Sequence, residues 1–322
     1  MTLADVAAAS GVSVTTASLV LTGRARELRI SEAAEQRVRS TARELGYRRG
    51  AGARDGLSRT IGFVLDAESS VQAGDVVRGA VEAAHRCGFL LFVGESGGDP
   101  VVERSLVEAM RDRRADGVVL ATAGVRTAVP PAGLRPTVLL NATAAGLPSV
   151  VPDEVRGGRA AARLLVEAGH VRGVHLVGTG SAHGGAARLA GLRDVLGADV
   201  RVHHCPEWTP EAGYDVTGEL LRRHRPGALV CLDDRLAFGA YRALAEAGLS
   251  VPGDVSVVGF GDHAVASWML PRLTTVAVPR RELGERAVEV LVGIVEGRGV
   301  RSPVQRVPMP VRVGASVARA RR

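Results

Sequence analysis

The chain has 322 residues, long enough for a small head plus one or two larger domains. Hydrophobic residues make up 46% of it, which excludes a disordered polymer, and no apolar run reaches the ~18 residues of a membrane span. All 41 basic residues are arginine and the net charge is +7, but residues 1–59 alone hold ten Arg against six acids, which points to a polyanionic partner at the N-terminus.

Thr2 and Asp5 stand in the relation of a capping box, which starts a helix at Leu3. Ser10-Gly11 breaks that helix, and Ser13 caps a second, Val14 to Leu21. Two short helices joined by a tight Gly-containing turn form a helix-turn-helix. Val6, Val12, Ala17, Val20 and Leu21 pack the pair together. Val14, Thr15, Thr16, Ser18 and Leu19 are left as the outer edge of the second helix. That edge is small, hydroxyl-bearing and apolar, which suits phosphate oxygens and thymine methyls. A structural hairpin is the plainer alternative, although such a hairpin usually carries Glu and Lys there. Ser31 caps a third helix that ends at Leu45-Gly46, with Val38, Ala42 and Leu45 inward. Residues 1–47 therefore read as a small all-α helix-turn-helix head, and residues 48–59 (R-R-G-A-G-A-R-D-G-L-S-R) as a hinge or linker.

From residue 60 the pattern changes. Apolar runs at 61–65, 89–93, 117–121 and 138–140 alternate with helices at 73–87 and 100–113. A second set has runs at 174–177, 200–203, 228–231 and 255–258 among helices at 155–168, 185–196, 210–224 and 235–247, and a last helix spans 280–296. Continuous Val/Ile/Leu runs between helices predict parallel strands buried on both faces. The body, 60–322, is thus expected to be α/β, with two doubly wound parallel-sheet subdomains. The first is assigned about 60–154 and 280–303, the second about 155–279 and 304–318, with a ligand cleft between them. Cys87, Cys205 and Cys231 form no disulfide framework, and Asp5 interrupts any leader-like start. A cytoplasmic protein without cofactor, metal or membrane partner is expected.

The run T-L-A-D-V-A-A-A-S-G-V-S-V-T-T-A-S resembles the head of the lactose-repressor (LacI/GalR) family of bacterial transcription regulators. D-G-V-V-L (116–120), E-A-G-H (167–170), R-L-A-G-L (188–192), A-F-G-A-Y-R-A-L (237–244), V-P-G-D-V-S-V-V-G-F (251–260) and P-R-L-T-T-V (271–276) follow in family order. The resemblance implies a homodimeric repressor with a periplasmic-binding-protein-like body that holds a small effector, a sugar or related metabolite. Its DNA partner is a pseudo-palindromic double-stranded operator. On the same basis Ser13, Thr16 and Ser18 meet phosphate, while Val14, Thr15 and Leu19 read bases. Leu19 stands where the family commonly has Arg, so an apolar contact replaces a guanine-reading fork. Arg24, Arg26 and Arg29 lie in a loop about three residues longer than usual, near the DNA backbone or in a solvated loop. Tyr47, Arg49, Arg54 and Leu57 are the remaining DNA candidates, Arg48, Arg49, Arg54 and Arg59 for phosphates and Leu57 as a minor-groove wedge. The hinge departs from the family pattern, because Gly50, Gly52 and Gly56 each cost a helix ~1 kcal/mol relative to Ala. For the effector the resemblance implies Arg188, Trp208, Asp233 and Asp262 on one lobe, and Val71, Asp75, Val76, Ala121 and Asn141 on the other. Gly261 replaces the first acid of a G-[FY]-D-D motif, so one hydroxyl acceptor is missing.

Other readings are weaker. Gly94-Glu95-Ser96-Gly97-Gly98 fits a nucleophile elbow, yet Asp99-Pro100 places the next helix several residues too late. Gly178-Thr179-Gly180 lacks dinucleotide-loop spacing, and the adjacent His203-His204-Cys205 cannot all face one ion. The main competitor is a small-molecule sensor whose degenerate head binds DNA weakly.

Overall fold

The structure, a computed structural model, describes residues 2–21, 23–25, 30–47, 56–66, 73–125, 136–178, 184–300 and 302–320. It divides into two units, Met1–Arg59 and Thr60–Arg322.

In the first unit, α1 (Leu3–Ser10) begins with the expected capping box. The Asp5 amide donates to Thr2 Oγ1 at 3.3 Å and the Thr2 amide to Asp5 Oδ2 at 2.6 Å. Gly11 closes α1 in the left-handed region at φ 67°, a conformation most side chains resist. The helix α2 (Val14–Leu21) follows at 104° to α1. Ser31 caps α3 (Glu32–Glu44) by accepting from the Ala34 amide. Val6, Ala7, Ala17, Val20, Ala25, Val38 and Ala42 form the buried centre. These residues are small because three short helices must approach closely to exclude water. No single helix among the described residues is long and apolar enough to cross a membrane.

Among the described residues the second unit holds two six-stranded sheets. The first-lobe elements are β1 (Thr60–Leu65), α4 (Ala73–Arg86), β2 (Leu90–Glu95), α5 (Pro100–Asp112), β3 (Val118–Val125), β4 (Thr137–Thr143) and β5 (Ser149–Pro152). The second lobe continues with α6 (Glu154–Glu167), β6 (Val174–Val177), α7 (Gly185–Leu196), β7 (Arg201–His203), α8 (Pro210–Arg223), β8 (Ala228–Cys231), α9 (Asp234–Glu246), β9 (Ser256–Gly261), α10 (Ala264–Trp268) and β10 (Thr274–Ala277). The chain ends with α11 (Arg280–Val295), β11 (Val304–Val307) and β12 (Val311–Arg312). The strand orders are β11-β5-β4-β3-β1-β2 and β12-β10-β9-β8-β6-β7. Among the described residues every pairing is parallel except β10 with β12. The long helices of the body fall within one residue of their sequence-derived bounds.

Three departures from expectation concern the lobes. Val304–Val307 pairs in parallel with Ser149–Pro152, so it completes the first sheet rather than the second lobe to which 304–318 was assigned. The open edge beside β5 is what captures it, and only β12 returns to the second sheet. The strand β5 itself, Ser149–Pro152, holds only two apolar residues before Pro152 and is not predicted from the sequence. Finally, β2 is an edge strand with Leu90, Phe92 and Val93 exposed, not a strand covered on both faces.

The chain therefore passes between the lobes three times, at β5 to α6, β10 to α11, and β11 to β12. The helix α11 packs against α4 of the first lobe. Gly79 and Gly284 make that approach possible, because a side chain on either would strike the other helix's carbonyl oxygens. Gly158 does the same for α6 against α7, lying on the Arg188 carbonyl.

Candidate functional site

The outer face of α2 is built from local capping. The Thr16 amide donates to Ser13 Oγ at 3.1 Å, and the two hydroxyls meet at 2.8 Å. Ser13, Val14 and Thr15 are exposed, while Thr16, Ser18 and Leu19 are half-buried. Ala17 and Val20 turn into the core and fix the helix orientation. The face has no charged side chain, and the Thr15 and Ser18 hydroxyls have no partner among the described residues. Arg24 is exposed just beyond α2, its amide bonded to the Leu19 carbonyl at 3.0 Å. Tyr47 is half-buried on the rim of the head core. Leu57 is half-buried in a stretch, 56–59, without helix. Arg26, Arg29, Arg48, Arg49, Arg54 and Val71 lie outside the described residues.

In the body the predicted residues gather at two places rather than one. Arg188, on the first turn of α7, is 4% exposed. Its Nε and Nη2 donate to Glu154 Oε2 and Oε1 at 2.6 and 3.0 Å, and its Nη1 donates to the Leu232 carbonyl at 2.5 Å. The guanidinium carbon lies 5.7 Å from the Trp208 ring centre and 4.9 Å from that of Phe260. Arg188 is thus in a buried ion pair, and two of its five N–H bonds are uncommitted among the described residues. Glu154 is not legible in the sequence as a partner of Arg188, because it lies 34 residues away.

Asp233 caps α9 and is 4% exposed. It accepts from the Arg235 amide and Nε, both at 2.8 Å, and lies 3.2 Å from His263 Nε2. Burial alone pushes its pKa up, but hydrogen bonds from His263 and Arg235 overcome this and hold it at about 2. The neighbouring Asp234 is fully buried and accepts from Thr275 Oγ1 at 2.6 Å and the His263 amide at 2.8 Å. Its desolvation wins, so its pKa is raised. Arg280, at the start of α11, donates to the Gly261 carbonyl at 2.6 Å. These groups sit at the C-terminal ends of β6, β8, β9 and β10, around the point where strand order reverses, where open α/β sheets place ligands.

Asp75 and Asp262 instead line an adjoining recess of about 640 Å³ with Arg280, Pro310 and Arg312. Asp262 pairs with Arg312 at 3.2 Å from a left-handed backbone, φ 58°. Ala121 is buried in the middle of β3, and Val76 is buried on α4, so neither side chain offers surface. Beside Ala121, however, the β3–β4 register shifts, with Ala121 opposite Leu140 and Gly124 opposite Ala142, so two residues of β3 face Asn141. Asn141 has φ 61°, and its Oδ1 and the Thr122 hydroxyl are buried with no partner among the described residues. Thr122 was not foreseen, since nothing in one strand announces a bulge.

The other motifs have structural explanations. Ser96 donates to the Leu65 carbonyl at 3.0 Å, and Asp99, not Ser96, opens the next helix by accepting from the Val101 amide. His170 Nε2 is 2.9 Å from the Ala318 carbonyl, and His175 Nδ1 is 2.9 Å from His203 Nε2. Among the described residues no group of three His, Cys, Asp or Glu side chains is placed to hold a metal ion.

Residues 2–50 match the model for bacterial regulatory proteins of the lacI family, and residues 162–317 that for a periplasmic binding protein-like domain. The chain is 30% identical to the HTH-type transcriptional regulator DegA of Bacillus subtilis, covering 96% of this chain and 95% of that one. It is 31% identical to the ribose operon repressor of Escherichia coli, covering 90% and 92% respectively. Its fold is similar to that of the lac repressor dimer bound to operator and the anti-inducer ONPF, with a TM-score of 0.77, 24% identity and 99% of each chain covered.

Proposed function

Because the chain belongs to the lacI family of bacterial regulatory proteins, a family of DNA-binding transcriptional regulators, we propose that its α2 face reads a two-fold symmetric operator under the control of a small hydroxylated effector. The observation that carries the DNA reading is the uncharged outer face of α2, held by a buried small-residue core. Its hydroxyls suit phosphates, and Val14 and Leu19 suit thymine methyls. The Arg-rich linker supplies sequence-independent attraction. On the second lobe, Arg188, Trp208 and Asp233 would contact the effector, Arg188 through its two uncommitted N–H bonds. On the first lobe, Thr122 and Asn141 offer buried acceptors that a ligand hydroxyl would satisfy. Asp75 and Asp262 border the entrance.

A second copy of the chain is the natural cover for the exposed β2 edge and for Phe238, Trp268 and Leu270, the last two 84% and 92% exposed. The mechanism is a conformational switch in which the effector favours one arrangement of the lobes by its differential affinity for the two. The test is selection of DNA from a random library by the purified full-length protein. A two-fold symmetric motif is expected. No motif even at low salt would overturn the operator reading and favour a ligand sensor with a degenerate head. For the cleft, Arg188→Ala should abolish ligand-induced stabilisation while leaving operator affinity intact.

A further inference from the structure

One side chain in the second lobe is built into the cleft yet belongs to none of the expected sites. His263 precedes α10, and its backbone amide donates to Asp234 Oδ2 at 2.8 Å. The imidazole folds back over Gly261, with its Cδ2–Nε2 edge lying where a side chain at 261 would begin. Gly261 has φ 133°, so glycine serves both the backbone and the ring here. That packing fixes Nε2 at 3.2 Å from Asp233 Oδ2 and 3.2 Å from Arg280 Nη2.

Those two contacts make opposite demands. A carboxylate requires Nε2 to donate, and a guanidinium requires it to accept, so one protonation state cannot satisfy both. The vertex away from Gly261 is Nδ1, which has no partner among the described residues, and the side chain is 17% exposed. The ring is therefore anchored on one nitrogen and open on the other, at the C-terminal end of β9.

We propose that His263 is a specificity-determining residue of the effector cleft, its Nδ1 meeting a ligand hydroxyl while Asp233 and Arg280 compete for its Nε2. This rests on the reading of the cleft as the effector site. A hydroxyl both donates and accepts, so it suits either neutral tautomer, whereas an ammonium or a carboxylate suits only one. The charged groups around the ring are Asp233, Asp234 and Arg235 from the start of α9 and Arg280 from α11, with Asp262 next to it in its own loop. Arg188 on α7 acts electrostatically on Arg280.

The experiment is calorimetric titration of the full-length protein with D-ribose, and with a panel of other pentoses and hexoses, at one fixed pH. Wild type is compared with His263→Gln and His263→Asn, each checked for an unchanged melting profile. Gln places its amide near the Nε2 position and leaves Nδ1 empty, whereas Asn places its amide near Nδ1 and gives up the anchor. The proposal expects His263→Gln to weaken binding about tenfold, and His263→Asn by less than about threefold. A purely structural role for the ring predicts the reverse order, and that order, or wild-type affinity in both variants, overturns the proposal alone. If no sugar binds the wild type, the cleft reading itself falls, and the proposal with it.

Discussion

The Glu154–Arg188 pair offers the most quantitative test of the cleft. Glu154→Ala would leave a guanidinium that is 4% exposed without its carboxylate. Breaking a buried pair by removing one partner costs about 3–5 kcal/mol. The Leu232 carbonyl and the Trp208 and Phe260 faces would remain around Arg188, and Glu154 itself is 13% exposed, so the lower figure applies, about 3 kcal/mol. For a body of this size that is a fall in Tm of about 6–12 °C. Urea unfolding followed by tryptophan fluorescence reads it directly, because Trp208 is one of only two tryptophans and adjoins the pair. Removing both partners, as Glu154→Ala with Arg188→Met, should cost less than Glu154→Ala alone, since no buried charge is then stranded. A single-variant loss below about 1 kcal/mol, or a double variant whose cost is the sum of the singles, would refute the buried-pair argument.

Three further outcomes are expected. Thr15→Ala should change the selected DNA motif at one position of each half-site, and an unchanged motif would mean that α2 does not face the bases. His175 is held at about pKa 4, first by burial and then by the adjacent His203 and His224. Its folded pKa lies below the unfolded value, so its contribution is present above about pH 6.5 and is lost as pH falls toward 4. Solvent reaching the half-buried rings beside it reduces the cost to about 1–2 kcal/mol, and His175→Phe should make stability flatter over that window. Trp268→Ser combined with Leu270→Ser should raise the concentration at which the protein dissociates, measured by sedimentation; an unchanged assembly would place the contact elsewhere.

Local signals in the sequence carried far. Thr2, Asp5, Gly11, Ser13 and Ser31 each act within a turn of their own position, so spacing alone located the head helices. The central strands β1, β3, β4, β6 and β8 are equally plain, because a strand covered by helices must be apolar throughout, whereas β5 and the Thr-rich β10 carry no such run. What escaped notice depends on residues far apart in the chain. Glu154 meets Arg188 across two helices that Gly158 allows to approach, and His263 reaches Asp233 across 30 residues. The glycine at 261 could be read only as a missing carboxylate, whereas in the folded chain it makes room for a ring. Val304–Val307 was misplaced because pairing preference for one sheet edge over another leaves no mark within four residues.

The crossing at β10 to α11 has a mechanical consequence. Arg280 clasps the second lobe at the Gly261 carbonyl, while the rest of the same rigid helix is seated on α4 of the first. Sixteen helical residues extend about 24 Å. A tilt of about 5° at the Arg280 end would therefore carry the far end through about 2 Å, a displacement that a tightly packed helix interface cannot absorb smoothly. A single hydrogen bond gained or lost at the head of this lever is thus amplified along its length.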